Sequence, residues 1–330
     1  MTRATAVAHP NIALVKYWGK ADQKLNLPAT GSLSLTLGIF PTTTTVELTN
    51  DPMDRVVLDG VELSGDESAR VRSVLDLVRE RAGSGTHALV TSTNTVPTAA
   101  GLASSAAAFA ALAKASSAAY GLSLSDAELS RLARRGSGSA CRSVFGGLVR
   151  WNKGTSDETS VAERLEWQGE PLAMVVSVIS SARKKIGSRA GMNHTVTTSP
   201  YFEGWVSSNN ALVERASSAV ERADFTSLGE IAEMSALRMH ASMLGAEPPL
   251  RYLTSRSFAI FDAVQELRED GLEAYASADA GPNVKILCRS REASLVAHAL
   301  RERIEDVKMH VSNSGPGAYL LDEGERPSAA

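Results

Sequence analysis

Two hydrophobic periods alternate along this chain, and each change of period marks an element. Thr43 to Thr49 and Arg55 to Leu58 are rich in β-branched residues and read as strands. Asp59-Gly60 is a hairpin-grade turn leading into Val61 to Leu63. Val71, Val74, Leu75 and Val78 then recur at helical spacing, opened by Asp66 and Glu67 and closed near Gly83. A short strand around His87 to Thr91 leads to a loop, Asn94 to Gly101, and then to an alanine-rich helix from Ser104 to Tyr120 with Gly121 as its stop. A second helix, Asp126 to Arg135, runs into the Gly/Ser segment GSGSACRSVFGG, expected as a loop, and a strand near Leu148 to Trp151. Asn152 to Ser160 is polar and expected at the surface. The most apolar run, Leu172 to Ile179, is far too short to cross a bilayer and reads as a buried strand.

Beyond Ile179 the pattern changes. Helical periods dominate Val206 to Met239 and Ser257 to Arg268, followed by strand, Gly/Pro turn and strand from Ala274 to Leu287. A last helix is expected over Glu292 to Ile304, a last strand pair over Val307 to Leu321, and a frayed tail from Glu323. Strands and helices mix in both halves, so the fold class is α+β. A chain of 330 residues exceeds one simple core. The change of pattern near residues 180 to 190 predicts two domains, 1–182 and 183–330. No solenoid-period repeat is visible.

Composition narrows the function classes without choosing one. Hydrophobic residues make up 43% and charged residues 22%, ordinary for a globular protein. A net charge of −3 supplies no field to draw the chain to nucleic acid, which is not expected as a partner. Cys141 and Cys288 lack metal-ligand spacing and suit a reducing cytoplasm, and the N-terminus MTRATAVAHP has no apolar core of a secretory signal. A cytoplasmic protein with no membrane partner is therefore expected. The six histidines are scattered without ligand spacing, and His194 is expected to be structural.

The most informative stretch is PTAAGLASSAAAFAAL, starting at Pro97. Tiny residues lead straight into a helix N-terminus, where unpaired backbone N–H groups and the dipole receive an anion. Ser104 and Ser105 add hydroxyls in the first turn, to cap the helix or to contact phosphate. The segment lacks the lysine of a P-loop. A tightly packed Ala/Ser helix behind a loop is the alternative reading of the same residues.

The run P-x-x-x-G-L-x-S-S-A is similar to the ATP-binding motif of the GHMP kinase superfamily. Four further segments narrow the resemblance: NIALVKYWGKADQKLNLPATGSLSLTL from Asn11, GSGSACRSVFGG from Gly136, SRAGMNHTVTTSPYF from Ser188 and DAGPN from Asp279. In that order they resemble the mevalonate-diphosphate decarboxylase family, from residue 9 to beyond 283; KYWGK and GSGSACRS-x-FGG are distinctive of that family. The resemblance implies a two-domain GHMP-kinase-like fold, with mixed sheets, helices packed between and outside them, and a central cleft. It implies ATP with Mg2+ as the cofactor, mevalonate 5-diphosphate as the substrate, isopentenyl diphosphate as the product, and a homodimer. The magnesium ligands are not assigned by it.

The chemistry makes demands that can be matched to residues. Hydroxide leaves poorly, so a decarboxylating elimination of a tertiary alcohol first needs that oxygen phosphorylated. By resemblance the nucleotide cradle is Pro97, Ala100, Gly101, Leu102, Ala103, Ser104, Ser105 and Ala106. Asp279 orients the tertiary hydroxyl, or orients and deprotonates it; the residues alone would equally suit an Asp capping a turn. Arg142 pairs with the substrate carboxylate, for which its planar fork is suited, and lies near Asp279. Asn11 orients that arginine, and Lys16 lies at the reacting end. Tyr17 and Lys20 lie near the diphosphate. Ser137 and Ser139 form an anion nest for it, closed from the other domain by Ser188 and Arg189. Arg70 either matches a functional arginine of the family or is a helix-surface charge.

Two other readings stay open at this stage. One is a relative that phosphorylates a mevalonate compound and stops, and the other is a non-enzymatic binding protein on the same fold. The presence of Asp279, Arg142, Lys16 and Lys20 together favours the full reaction.

Overall fold

Residues 2–95, 104–180 and 185–322 are described by the computed structural model. The first part of the chain runs β1 (Arg3–Ala8), β2 (Asn11–Val15), β3 (Lys20–Asp22), β4 (Leu27–Pro28), β5 (Ser32–Thr36), β6 (Thr42–Thr49), β7 (Arg55–Leu58), β8 (Val61–Glu62), α1 (Gly65–Ala82) and β9 (His87–Asn94). It continues with α2 (Ser104–Ala119), α3 (Asp126–Gly136), a 3₁₀ helix (Gly138–Val144), β10 (Leu148–Trp151), β11 (Ala162–Leu165) and β12 (Leu172–Val178). The remainder is α4 (Ser188–Thr198), α5 (Phe202–Glu221), α6 (Phe225–Leu244), α7 (Ser255–Glu269), β13 (Ala274–Ala278), β14 (Val284–Arg289), α8 (Ala293–Arg303), β15 (Lys308–Asn313) and β16 (Tyr319–Leu320).

Local chemistry explains the ends of these elements. Gly83 stops α1 in the left-handed conformation, with φ of 59°. Ser125 and Glu128 form a reciprocal capping box at the start of α3. The alanines of α2 are small enough to bring its backbone close to β1 and β6, and Ala106, Ala107, Ala110, Ala111 and Ala113 are all fully buried there.

The strands form sheets ordered β16-β1-β6-β9-β7-β8, β11-β10-β5-β2 and β13-β14-β12-β15, with β3-β4 as a separate hairpin. The first sheet carries α1, α2 and α3 over a core that includes Val46, Val74, Val90, Phe109 and Leu132. The third sheet carries α7 and α8 over Val175, Ile260, Val264, Ile286 and Val296. A third core joins the halves: Ile12, Leu14, Leu33 and Leu35 from the second sheet pack with Met174, Val176 and Leu287 from the third and with apolar residues of α5 and α6.

Two sequence expectations change. The segment GSGSACRSVFGG is not simply a loop, because residues Gly138–Val144 wind into a buried 3₁₀ helix. The last two strands do not pair with each other: β15 lies antiparallel to β12, while β16 returns to pair with β1. β12 also pairs far along the chain, lying between β14 and β15. Strand pairing is decided by tertiary burial, which local periodicity does not encode.

The consequence for function is the position of α6. It packs against both β2 and β13, so it spans the ends of two sheets and brings residues 16 and 279 together.

Candidate active site

The site begins where β2 ends. Lys16 follows Val15, and its backbone is gripped from the second half: its N–H donates to the Ser235 Oγ on α6, at 2.9 Å, and its carbonyl accepts from the Asn209 Nδ2 on α5, at 3.0 Å. The Ser235 hydroxyl in turn donates to the Asn209 Oδ1. The Lys16 ammonium, buried with 1% of the residue exposed, donates to the Ala13 carbonyl at 2.7 Å and to the Asp279 Oδ1 at 2.8 Å. Burial pushes its pKa below the ordinary lysine value, against the pull of Asp279.

Asp279 stands just past β13, in the turn completed by Gly281 and Asn283. Its carbonyl accepts from the Gly281 N–H at 2.7 Å, and the Asn283 Oδ1 accepts from the N–H groups of Ile179 and Ser180. The DAGPN motif therefore ties the end of β12 to the turn bearing the acid. The second oxygen, Oδ2, faces the Lys285 ammonium at 3.3 Å. Lys285 was not anticipated as a site residue, although a lysine between Val284 and Ile286 in an apolar strand was the visible signal.

Arg142 projects from the 3₁₀ helix and is 2% exposed. Its Nε and Nη2 both donate to the Asn11 Oδ1, at 3.2 and 3.0 Å, and its Nη1 donates to the Ser32 Oγ at 2.7 Å. Asn11 is itself fixed, donating through Nδ2 to the Ser139 carbonyl and the Ser143 Oγ. Burial lowers the Arg142 pKa, and the Asp279 carboxylate opposes the shift. The guanidinium stays charged in any case. Ser32 is a second residue that sequence reading missed, and no local signal points to it.

From this dry end the contacts run on toward the α2 N-terminus. Tyr17 lies edge-on to Trp151, with ring centroids 4.8 Å apart, and its hydroxyl sits against Gly138, where an added Cβ would lie 2.6 Å away. That hydroxyl is buried and has no hydrogen-bond partner among the described residues. Burial pushes its pKa well above the ordinary phenol range, so it remains a neutral donor. Ser137 ends α3, and its Oγ lies 3.3 Å from the Ser105 Oγ in the first turn of α2. Ser104, Ser105 and Ala106 open α2, beside a cavity of about 220 Å³ walled by Leu58, Leu63, Val71 and Phe109. Pro97, Ala100, Gly101, Leu102 and Ala103 lie outside the described residues.

The outer rim is cationic. The Lys20 ammonium donates to the Asn26 Oδ1, and its pKa falls to about 8, first through burial and then through Arg189 and Arg70. Ser188 and Arg189 form the first turn of α4, whose position against β3 brings them to Lys20. Arg70 is not a solvated helix charge: its Nη2 donates to the Gly136 carbonyl at 2.9 Å, and its guanidinium lies 4.8 Å over the Phe109 ring. Among the described residues no carboxylate forms an ion pair with Lys20 or Arg189. His240, on α6, is buried beside the Asp279 turn, with its pKa lowered to about 4 by burial and by Lys16. His194 lies away from this cluster, with Nε2 2.8 Å from the Pro248 carbonyl.

An acid clamped by lysines, an arginine presented by an amide, a cationic rim and a helix N-terminus thus form one continuous line of contacts. Such an arrangement suits a small molecule carrying several negative charges, held beside a second anionic molecule.

Comparison with known proteins points the same way. Residues 8–162 match the family model of the diphosphomevalonate decarboxylase-like N-terminal domain, and residues 174–318 that of the mevalonate 5-diphosphate decarboxylase C-terminal domain. The chain is similar to the diphosphomevalonate decarboxylase of Gibberella zeae, at 37% identity over 333 residues, covering 92% of this chain and 86% of the relative. It is similar in structure to the mevalonate diphosphate decarboxylase of Staphylococcus aureus, with a TM-score of 0.93, 42% identity and coverage of 97% of this chain and 98% of that one. A structure described as MDDEF in complex with MVAPP, AMPPCP and magnesium matches with a TM-score of 0.91 and 44% identity, covering 97% of this chain and 99% of that one.

Proposed function

The chain belongs to the diphosphomevalonate decarboxylase family, and on that premise we propose how its residues divide the work. It converts mevalonate 5-diphosphate and ATP to isopentenyl diphosphate, ADP, phosphate and CO2. The observation that carries the assignment of roles is the convergence of Lys16, Asp279, Arg142 and Asn11, from distant parts of the chain, beside the Ser105–Ser137 contact.

In this reading Lys20, Arg189, Tyr17, Ser137 and Ser139 receive the diphosphate, with Arg70 adding charge from α1. The Arg142 fork, aimed by Asn11 and Ser32, receives the substrate carboxylate. Asp279 holds the tertiary hydroxyl in line with the transferring phosphoryl group. Phosphoryl transfer is loose and responds to positioning more than to base strength. Once phosphorylated, that oxygen departs as phosphate while the electrons of the C–C bond to the carboxylate form the alkene and CO2 is released. The first turn of α2 receives the nucleotide phosphates, and the apolar cavity beside it suits the base. Magnesium takes hard oxygen ligands; with phosphate oxygens, the Ser104 and Ser105 hydroxyls would hold it, and it would neutralise phosphate charge there.

The division into residues 1–182, carrying the nucleotide site, and 183–330, closing the cleft with Ser188, Arg189 and Asp279, belongs to the same proposal. So do a cytoplasmic location, supported by two buried free thiols, and a homodimer, supported by the family resemblance. Among the described residues no helix is long and apolar enough to cross a membrane. The decisive assay supplies ATP and carboxyl-labelled mevalonate 5-diphosphate: CO2 and ADP are expected in equal amounts. ADP without CO2 would place the chain with relatives that phosphorylate and stop.

A further inference from the structure

We infer that Lys285 is a positioning residue for Asp279, fixing the carboxylate oxygen that Lys16 does not reach and adding a third positive charge to the reacting pocket. The inference rests on the proposed role of Asp279.

Lys285 lies in β14, an inner strand of its sheet, opposite Ser277 on β13 and Val176 on β12. Val284, Ile286 and Leu287 around it are fully buried, and Lys285 itself is 1% exposed. An unbranched apolar residue would fill this position without desolvating an ammonium, which is costly unless the charge is paired. The ammonium has two oxygen partners: the Asp279 Oδ2 at 3.3 Å and the Asn283 carbonyl at 3.2 Å. Both belong to the turn that presents the acid.

The geometry explains why one lysine is insufficient. Among the described residues Lys16 holds Oδ1 at 2.8 Å and Lys285 faces Oδ2, and an ammonium on one oxygen alone restrains rotation about the Cβ–Cγ bond less than one on each. With an ammonium on each oxygen the plane of the carboxylate is set. The Asp279 side chain remains 26% exposed, so it is clamped without being sealed from substrate. Among the described residues the cations facing it are Lys16, Lys285 and Arg142, while His240 is held neutral. Among the described residues these cations outnumber the one carboxylate, which suits a place where a substrate carboxylate and a transferring phosphoryl group meet.

The test measures CO2 release by Lys285→Met, which keeps the length of the side chain and removes its charge. The expected result is a kcat lower by about 100-fold, the cost of a misplaced reacting group, with KM for both substrates within about threefold. Lys285→Arg should recover at least a tenth of the wild-type kcat. In an Asp279→Asn background, Lys285→Met should change the residual rate by less than about twofold, because the lysine acts through the acid. Should Lys285→Met not fold, Lys285→Gln, which can still donate to the Asn283 carbonyl, takes its place. A neutral variant that folds and turns over at the wild-type kcat overturns the inference, as does a full further loss in the Asp279→Asn background. A wild-type protein that releases no CO2 removes the underlying reading, whereas a competent wild type beside an unimpaired Lys285 variant removes this inference alone.

Discussion

The proposed reacting end and the proposed outer rim are built in opposite ways. At the reacting end Arg142, Lys16, Lys285 and Asn11 are almost wholly buried, and each is held by partners within the protein. At the outer rim Lys20 and Arg189 have neighbouring cations but, among the described residues, no carboxylate partner. Groups that must aim at reacting atoms are held in advance, since misplacement costs rate. In the proposed reading the rim only gathers charge, and a bound anion would relieve the repulsion between its cations. The contrast predicts that changes at the buried end act on kcat and changes at the rim act on KM.

Asp279→Asn should test that contrast most severely. The amide keeps the shape but loses the charge that pairs with Lys16 and Lys285. We expect kcat to fall by on the order of a thousandfold or more while a nonhydrolysable ATP analogue still binds, as titration calorimetry would show. Near-normal turnover would remove Asp279 from the reacting end. Arg142→Lys comes next, with kcat lower by roughly 100-fold, because an ammonium cannot reproduce a fork that reaches Asn11 and Ser32 while offering an edge to a carboxylate.

At the rim the signature should reverse. Arg189→Met is expected to raise KM for the diphosphate substrate by roughly 10- to 30-fold and to leave kcat within about threefold, the pattern of lost uniform binding. A fall in kcat with KM unchanged would move this residue to the reacting end. Ser105→Ala should have a smaller effect, about fivefold or less on KM for ATP, the scale of one hydrogen bond. The 3.3 Å contact with Ser137 makes this variant a sensitive divider, since a change confined to the diphosphate substrate would assign Ser105 to the other ligand.

The same contrast governs what could be read from the chain. Rim residues sit in short local motifs, GSGS and the segment around Ser188, and the helices around them announce themselves through caps such as Ser125 with Glu128 and the stop at Gly83. The buried end is assembled over long separations, and only motif resemblance linked Asp279 to Lys16. Nothing near Ser32 indicates that an arginine 110 positions away will donate to its hydroxyl. β2 is buried at every position, so it offers no alternation to read, and Lys285 was absorbed into an apolar strand. The pairing of β16 with β1 was hidden for the same reason, since register follows from what a strand covers and not from its own residues.

The subtlest expected effect is a pH dependence confined to the rim. Lys20, with a pKa of about 8 set by burial and by Arg189 and Arg70, loses its charge in the free protein as pH rises through that value. A diphosphate bound there as proposed would favour the ammonium and take up a proton above about pH 8, so KM for that substrate should rise by at most about tenfold per pH unit. Stability of the ligand-free protein should move the other way. A lysine whose pKa is depressed by folding sheds its proton before the unfolded chain does, so its contribution improves as pH rises from about 8 toward the ordinary lysine value. Lys20→Arg, which stays charged, should flatten both trends relative to wild type, measured by steady-state kinetics and by thermal unfolding across pH 7 to about 10. If the arginine variant keeps the full slope in KM, the titrating group lies elsewhere, and the rim is not held in the strained, cation-only state that separates it from the clamped acid.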